Sequence, residues 1–410
     1  MTKNPKNISI ANYTYDLPDG YIAEHPLPER DRSRLLVASD GKISEDVFLN
    51  IDKHLPSDSL LVYNDTRVVQ ARLIFFKTTG ARIEIFCIDP AGDGKDIQVA
   101  LGQTGSVEWN CMVGNAKKWK GAELIMQGVN NSFLLKALLV GTTGEYRQIK
   151  FSWEPAYLSF AEILEMAGKT PLPPYITREP EEEDKGRYQT IYAANKGSVA
   201  APTAGLHFTD NVFQKLKGKK IDNVRLTLHV GAGTFKPVSS NTIGEHNMHA
   251  EEIVVSEGAL QKLKSSAGKN IVSVGTTSLR TLETIYWWGV KLLNNELPTD
   301  GFFKLSQWYP YEFEKPLPSL IESIDALLNY LKEMRLGSLR GNTELIIVPS
   351  YKFKTAKMLI TNFHQSQSTL LLLVAAFLGD DWKKAYDYAI DEKFRFLSYG
   401  DSCLFFRKKQ

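Results

Sequence analysis

Apolar segments that run directly into small polar loops constrain the fold of this chain more than any other feature. The apolar, β-prone segments are residues 224–230, 271–274, 345–348 and 358–360. After three of them the chain reads VGAGT, GTTS or NFHQSQ, and helices are predicted to begin near Thr209, Thr277 and Ser368. Repeated strand–loop–helix units are typical of α/β domains. We therefore expect an α/β domain, and we expect the apolar start of residues 60–72 to join its sheet.

The region that follows residues 60–72 has a different pattern. Short β-prone runs are separated by Gly, Asp and Asn turns, and helical periodicity is absent. The runs are residues 82–88, 97–101, 132–140 and 146–151. This pattern predicts a small antiparallel barrel or sandwich, inserted in the larger α/β domain.

Two later stretches carry helical patterns. Ser159 and Glu162 match a capping box, and Gly168 stands where that helix should end. In residues 287–342, aromatic residues and prolines precede apolar residues at helical spacing, from Leu320 to Leu331. This accessory stretch is interpreted either as a helical lid or as a surface for a partner.

Composition narrows the class of protein. The hydrophobic content of 43% and the charged content of 23% are those of an ordinary globular protein. The formal net charge is only +2, whereas proteins held to nucleic acid by charge alone are far more basic. An RNA partner would therefore need a local basic patch. We interpret the basic clusters at 117–120 and 407–409 as solvated surface.

Other features of the sequence bear on the cellular compartment. The three cysteines lie far apart and form no CxxC pair, which favours a reduced, cytoplasmic location. The polar N-terminus shows no signal-peptide pattern. The longest apolar run, residues 370–378, is shorter than the roughly 20 residues that span a bilayer. We expect a buried helix there and no membrane association.

Four segments rich in small and hydroxyl-bearing residues predict a composite ligand site. They are APTAGLHFT (201–209), LHVGAGTF (228–235), VGTTSLRTLE (274–283) and TNFHQSQSTL (361–370). Loops between strands and helices bind anions through free backbone N–H groups and the helix dipole. Gly205, Gly231, Gly233 and Gly275 allow the backbone to approach a ligand closely. The loops match neither the dinucleotide fingerprint nor the P-loop, so neither site is supported.

Titratable residues in and near these loops are candidates for proton transfer. His207, His229 and His364 fall in or beside the loops. In the NDTRV segment, Asp65 is a candidate general base and Arg67 a candidate clamp for a carboxylate or phosphate. The alternative for both residues is a turn closed by an ion pair.

Metal-dependent and nucleophilic hydrolytic sites are disfavoured. His246 and His249 lie three residues apart with Glu252 nearby, but no third ligand follows at a recognisable spacing, so no metal is expected. The chain has no GxSxG motif and no cysteine beside a histidine.

These residues fall within motifs that resemble those of a known family. The motifs are YDLP (15–18), HPLPERDRSRLLV (25–37), NDTRV (64–68), PLPPYI (171–176), RYQTIYA (187–193), APTAGLHFT (201–209), TLHVGAGTF (227–235), MHAEE (248–252), VGTTSLRTLE (274–283), TNFH (361–364), STLL (368–371) and FLSYGD (396–401). In this order, and over nearly the whole chain, they resemble the S-adenosylmethionine:tRNA ribosyltransferase-isomerases of queuosine biosynthesis.

The resemblance implies a fold and a reaction. The fold is a larger α/β domain with a mixed sheet (1–70 and 152–410) that carries an inserted small antiparallel β-barrel domain (71–151). The reaction transfers and isomerises the ribosyl part of S-adenosylmethionine onto 7-aminomethyl-7-deazaguanine at the tRNA wobble position, giving epoxyqueuosine with release of adenine and methionine. It begins with loss of a proton from the carbon next to the sulfonium. S-adenosylmethionine is a co-substrate, no cofactor is implied, the tRNA anticodon stem-loop is the partner, and the resemblance suggests a monomer.

The resemblance also suggests roles for residues. The base is expected among His207, His229 and Asp65. The expected substrate contacts are Arg67, Thr203, Gly205, Gly231, Gly233, Thr276, Thr277, Arg280, Asn362 and His364.

The chain departs from the family pattern at a few positions. Residues 365–367 replace a Leu-Pro-Lys/Arg sequence, Ser350 replaces a glycine, and Gln70 replaces a proline. Two alternatives therefore stay open: a paralogue that uses S-adenosylmethionine on another acceptor, and a non-catalytic protein that binds RNA or a partner.

Overall fold

The computed structural model describes residues 4–92, 96–144, 146–231 and 237–408. Its strands are β1 (Arg34–Ser39), β2 (Lys42–Val47), β3 (Leu60–Asn64), β4 (Thr66–Val68), β5 (Arg72–Phe76), β6 (Arg82–Pro90), β7 (Ser106–Gly114), β8 (Leu124–Gln127), β9 (Leu134–Thr143), β10 (Tyr146–Glu154), β11 (Asn195–Ser198), β12 (Asp222–His229), β13 (Glu251–Ser256), β14 (Ile271–Val274), β15 (Phe302–Leu305), β16 (Ser338–Thr343), β17 (Met358–Asn362) and β18 (Ser402–Phe406). Its α-helices are α1 (Ile51–His54), α2 (Ile97–Gly102), α3 (Phe160–Ala167), α4 (Asp184–Arg187), α5 (Asp210–Gly218), α6 (Glu257–Ser265), α7 (Thr276–Leu293), α8 (Tyr309–Glu312), α9 (Leu320–Met334), α10 (Thr369–Leu378) and α11 (Asp381–Asp391).

A ten-stranded mixed sheet forms the larger part of the fold. Its strand order is β15-β16-β13-β12-β3-β14-β17-β18-β1-β2. The neighbours β12, β3, β14 and β17 run parallel to one another, whereas the flanking strands β13 and β18 run antiparallel to β12 and β17. The carboxyl ends of the four parallel strands therefore meet at one edge of the sheet. The predicted mixed α/β sheet is confirmed, and β3 belongs to it.

A six-stranded antiparallel sheet forms a nearly closed barrel. Its strand order is β5-β6-β7-β10-β9-β8, and the end strands β5 and β8 contact each other. It encloses a separate core in which Trp109, Phe151 and Phe160 are fully buried. This sheet confirms the predicted barrel. The exact domain division, 71–151 inserted between 1–70 and 152–410, stays a prediction.

One predicted strand of the barrel region is wrong. Residues 97–101 lie in helix α2 instead of in a strand. The carboxylate of Asp96 accepts the backbone N–H groups of Gln98 (2.7 Å) and Val99 (3.4 Å), so it caps the first turn. A short apolar run does not distinguish one helical turn from a strand, and the cap decides the outcome here.

The accessory stretch 287–342 is integrated into the larger sheet. Strands β15 and β16 extend one edge of that sheet, and α9 packs against α7. The two helices approach so closely that a side-chain carbon on Gly289 would lie 2.2 Å from the carbonyl oxygen of Ser323. Ile324 and Leu327 are fully buried in the main core. This stretch therefore supplies core and sheet edge instead of a detached lid.

The predicted strand at 345–348 is also wrong. Strand β16 ends at Thr343, and the following backbone finds other partners. The N–H of Leu345 donates to the hydroxyl of Thr343 (3.1 Å), and the N–H of Val348 donates to the hydroxyl of Tyr311 (3.0 Å). The apolar segment is thus buried without joining a strand ladder.

The predicted helix over residues 370–378 is confirmed as α10, and its residues from Leu371 onward are buried. Across the described ranges, none of the helices has both the length and the apolar character needed to cross a bilayer.

Candidate active site

A pocket lies at the edge where the parallel strands β12, β14 and β17 end, and we call it the strand-end pocket. Its walls come from all four predicted loop segments and from two further places in the chain. The lining residues are Tyr175, 201–204, Val230, 275–277, 361–365, Ser368, Leu370, Leu397 and Ser398. The predicted contacts Thr203, Thr276, Thr277, Asn362 and His364 are among them. The sequence motifs are therefore brought together in space.

The N-terminus of α7 faces this pocket. Gly275 precedes the helix with a φ of +87°, which L side chains rarely adopt, and no side chain caps the helix. The N–H groups of the first turn are thus available to an anionic or carboxylate group. The hydroxyl oxygen of Thr277 has no hydrogen-bond partner within the described parts of the chain.

One turn further along α7, Arg280 forms a buried ion pair with Glu251 at the start of β13. The side chains are only 9% and 7% exposed. Burial lowers the pKa of Arg280 to about 10, so the guanidinium stays charged at neutral pH. Arg280 lines a small pocket together with Thr276 and Thr277. Removal of one partner from such a buried pair strongly destabilises the folded protein, because the other charge is left buried without a counter-charge.

A larger cavity of about 970 Å³ lies between the barrel and the edge of the ten-stranded sheet, and we call it the large cavity. The barrel side contributes Asp89 and Tyr146, and the sheet side contributes Glu251 and Arg340. Its volume is at the upper end of the roughly 300–1,000 Å³ range of small-molecule sites. Val230 lines both the large cavity and the strand-end pocket, so the two spaces adjoin.

His229 ends β12 and lines the large cavity, as does Gly231. The hydroxyl of Thr66 donates to the carbonyl of Asn195 (3.4 Å), so its oxygen is free to accept from Nδ1 of His229 (3.1 Å). On this basis we assign the ring proton to Nδ1, which leaves the lone pair on Nε2. Burial lowers the pKa of His229 to about 4, and the ring is neutral at pH 7.

His207 lies behind the strand-end pocket instead of lining it. Asn362 donates from Nδ2 to the carbonyls of Leu397 (2.9 Å) and Ser398 (3.1 Å), which turns its Oδ1 toward Nε2 of His207 (3.1 Å). Nε2 must therefore carry the proton, and Nδ1 accepts from the hydroxyl of Ser33 (2.8 Å). Burial lowers the pKa of His207 to about 4. With both ring nitrogens engaged, His207 is suited to hold Asn362 in place.

Asp65 lies outside the lining of both spaces. Its carboxylate accepts the amide of Asn195 (3.1 and 3.2 Å) and the hydroxyl of Thr227 (2.7 Å). Arg67 is exposed on β4. The contacts of Asp65 tie the residue that follows β3 to β11 and β12, and each of its carboxylate oxygens has a hydrogen-bond partner.

The other predicted residues also have definite positions. Gly205 packs against Tyr192, whose hydroxyl would lie 2.1 Å from a side-chain carbon at that position, so the glycine is needed for packing. His364 pairs through Nε2 with the hydroxyl of Thr361 (2.9 Å), and burial lowers its pKa to about 3. Gly233 lies outside the described residues.

The segment 365–367, which departs from the family pattern, anchors the N-terminal segment beside the pocket. The hydroxyl of Ser366 accepts the N–H of Tyr15 (3.3 Å), and the amide of Gln367 donates to Thr14 (3.0 Å). Gln365 lines the strand-end pocket.

Sequence reasoning missed several site residues. Glu251, Tyr175 and Ser398 fall in the quoted motifs MHAEE, PLPPYI and FLSYGD, but those motifs have no glycine-rich loop pattern. Leu397 lines the pocket with a φ of +69°, a backbone conformation that is uncommon for leucine.

Comparison with known proteins identifies the family. The family model described as queuosine biosynthesis protein matches residues 10–405. A relative from Halothermothrix orenii, named S-adenosylmethionine:tRNA ribosyltransferase-isomerase, is 37% identical over 408 residues, which cover 97% of this chain and 99% of the relative. A relative of the same name from Syntrophomonas wolfei is 35% identical over 407 residues and covers 98% of each chain.

Among solved structures, that of an S-adenosylmethionine tRNA ribosyltransferase from Thermotoga maritima is 28% identical, covering 96% of this chain and 99% of that chain with a TM-score of 0.45. The family match extends over most of the described residues, including those that line the strand-end pocket. The chain therefore belongs to the queuosine biosynthesis protein family.

Proposed function

We propose that this protein is an S-adenosylmethionine:tRNA ribosyltransferase-isomerase. It transfers and isomerises the ribosyl part of S-adenosylmethionine onto 7-aminomethyl-7-deazaguanine at the wobble position of a tRNA, forming epoxyqueuosine and releasing adenine and methionine. The observation that carries the proposal is the position of the charged pair Arg280–Glu251 near the neutral imidazole of His229. His229 and Glu252 are partners in the β12–β13 register, and Glu251 of the Arg280–Glu251 pair is the next residue.

The methionine end of S-adenosylmethionine is a zwitterion, and the Arg280–Glu251 pair matches its two charges. A guanidinium binds a carboxylate through two parallel N–H donors, and a carboxylate accepts from an ammonium group. Nε of Arg280 has no hydrogen-bond partner among the residues described, so a donor is available. We assign the substrate carboxylate to Arg280 and its ammonium group to Glu251, with the first turn of α7 beside them.

The strand-end pocket and the large cavity adjoin at Val230, and both His229 and Glu251 line the large cavity. We assign Thr203, Gly231, Thr276 and Thr277 to the nucleoside. Asn362 and His364 complete the pocket wall. In this proposal Gly205, Arg67 and Asp65 do not contact the substrate. They contribute through packing and through the position of β12.

We assign the general base to Nε2 of His229. The carbon next to the sulfonium is acidified by the positive sulfur, so a neutral imidazole is a sufficient base. His229 lines the cavity and keeps a lone pair, whereas both ring nitrogens of His207 and both carboxylate oxygens of Asp65 are engaged. The proton leaves carbon for Nε2, and the Thr66 hydroxyl holds the Nδ1 proton in place. His207 is a positioning residue through Asn362.

The proposal includes no resident cofactor, since S-adenosylmethionine is consumed as a co-substrate. We propose the tRNA anticodon stem-loop as the macromolecular partner, a cytoplasmic location, where tRNA is modified, and a monomeric state.

The direct test is incubation with S-adenosylmethionine and a tRNA that carries 7-aminomethyl-7-deazaguanine, followed by mass spectrometry of the digested nucleosides. We expect epoxyqueuosine in the RNA, with one adenine and one methionine released for each. A tRNA that carries guanine at the wobble position is the control acceptor. Bound S-adenosylmethionine without product would overturn this acceptor and favour a paralogue with another one.

A further inference from the structure

A cleft behind His207 collects three guanidinium groups from distant parts of the chain. Arg30, Arg187 and Arg395 line it together with His207 and Tyr399, and we call it the arginine cleft. Each of the three arginines is half-buried. Residues 30, 187 and 395 come from the first tenth, the middle and the end of the sequence, so no local charge run marks this cluster.

Backbone carbonyls hold the three side chains in place. Arg30 donates to the carbonyls of Gln189 (2.5 Å) and Gly186 (2.6 Å). Arg187 donates to those of Pro28 and Leu27, and Arg395 to those of Tyr399 and His25. A guanidinium has five N–H donors, so each of the three retains donors beyond the two that orient it.

The charges of the cluster are poorly compensated. Arg30 and Arg187 form no ion pair with a carboxylate in the described segments, and Nε of Arg395 lies 3.7 Å from the carboxylate of Asp401. Asp184 accepts the hydroxyl of Tyr399 but is paired with Arg178. Burial, together with the charge of Arg187, lowers the pKa of Arg30. His207 is neutral, so positive charge predominates in the cleft.

We propose that the arginine cleft binds a phosphate group of the RNA backbone. Planar guanidinium groups bind phosphate through paired N–H donors, and an anion relieves the repulsion among three converging cations. A chain with a formal net charge of only +2 needs such a local patch to hold RNA. This inference rests on the proposed function, which supplies RNA as the partner.

The location of the cleft suits a substrate RNA. Ser398 lines both the arginine cleft and the strand-end pocket. His207 forms part of the cleft wall and bonds Asn362, which lines the strand-end pocket. A phosphate in the cleft would therefore lie next to that pocket, with the side chains of His207 and Asn362 between the two spaces.

The test is the salt dependence of tRNA binding, measured by fluorescence anisotropy between about 50 and 300 mM NaCl. In this range the affinity for nucleic acid falls steeply with salt concentration, because binding releases counterions. For Arg395→Gln we expect about tenfold weaker binding at about 0.1 M salt. We also expect the slope of log Kd against log salt to fall by about 0.7–0.9, the change for one lost phosphate contact. Arg395→Lys keeps the charge and should retain most of the slope while binding more weakly, because the paired donors are lost.

Controls separate this inference from a purely structural role and from the proposed function. Arg225→Gln, an exposed site on β12, should leave the slope unchanged. Thermal unfolding and affinity for S-adenosylmethionine without RNA report whether each variant is folded. Folded Arg395 variants with a wild-type slope would overturn the inference and leave the arginines as ties between loops. Because binding is measured without turnover, absence of product would overturn the proposed function without affecting this result.

Discussion

Nε2 of His207 lies 3.1 Å from Oδ1 of Asn362, and the other ring nitrogen is held by Ser33. The histidine thus connects the arginine cleft to the strand-end pocket, while the orientation of Asn362 sets the tautomer of His207. Both side chains of this pair are buried.

His207→Ala should lower the free energy of unfolding by about 1–3 kcal/mol, because it leaves the buried Oδ1 of Asn362 without a donor. Turnover should fall more strongly than affinity for S-adenosylmethionine. In a double-mutant cycle with Asn362→Ala, followed by urea unfolding, we expect the two losses to be non-additive by about 1 kcal/mol or more. Additive losses would show that the two residues are not coupled.

His229→Gln should reduce kcat by about 10²–10⁴, the usual contribution of a general base, while affinity for S-adenosylmethionine stays within a few-fold of wild type. Thr66→Val removes the acceptor that fixes Nδ1 and should reduce kcat less, whereas Thr66→Ser keeps the hydroxyl and should be nearly normal. Single-turnover rates and calorimetric binding provide the comparison. Wild-type turnover by His229→Gln would remove this residue from the catalytic assignment.

Arg280→Met should abolish the preference for S-adenosylmethionine over its decarboxylated analogue. In the wild-type protein we expect at least about a tenfold preference, the effect of one charged hydrogen bond. Glu251→Gln should instead lose discrimination against the analogue without the α-amino group. Calorimetric titration with both analogues checks this crossed pattern, and equal loss of both preferences in both variants would contradict the assignment.

The buried histidines should make the protein less stable in mild acid. Their ordinary pKa of 6.5 falls to about 4 for His207 and His229 and to about 3 for His364. The unfolded chain therefore binds more protons below about pH 6.5, so stability is complete above that pH and declines as the pH falls toward about 4, by up to about 1.4 kcal/mol per pH unit for each histidine. Urea unfolding at neutral pH and at two mildly acidic values measures the slope. His364→Asn should reduce the slope of the unfolding free energy against pH by the contribution of one bound proton. An unchanged slope would show that His364 is not buried in its neutral form.

Ser350→Gly should raise the free energy of unfolding by about 1 kcal/mol. Ser350 is exposed and has a φ of +96°, a conformation that costs non-glycine residues about 1–3 kcal/mol, part of which is offset by the flexibility of glycine in the unfolded chain. This also gives a physical reason for the glycine of the family pattern at this position. Ser239→Gly is the matched control, because Ser239 is an exposed loop serine without a positive φ, and that change should leave stability equal or lower. A Ser350→Gly protein that unfolds at a lower urea concentration than wild type would contradict the predicted backbone strain at Ser350.

Local signals predicted the secondary structure where a side chain and its backbone partner lie a few residues apart. The capping box of Ser159 and Glu162 starts α3, and the side chains of Thr209 and Ser368 cap α5 and α10. The errors arose where the partner is elsewhere or the run is short. The backbone N–H groups of Leu345 and Val348 donate to the side-chain hydroxyls of Thr343 and Tyr311 instead of to the backbone of a neighbouring strand, and α2 is a short capped helix.

The sequence by itself determined which loop segments line the strand-end pocket, that β3, β12, β14 and β17 are strands, and which family the motifs resemble. These properties depend on residue type and on spacings of a few positions, which backbone geometry converts directly into structure. Only the tertiary structure decided that His229 lines a cavity while His207 supports Asn362, that Arg280 meets Glu251, and that Arg30, Arg187 and Arg395 converge. Those relationships depend on burial, charge and hydrogen-bond partners from residues far apart in the chain, and they exist only once the sheet order places those residues side by side.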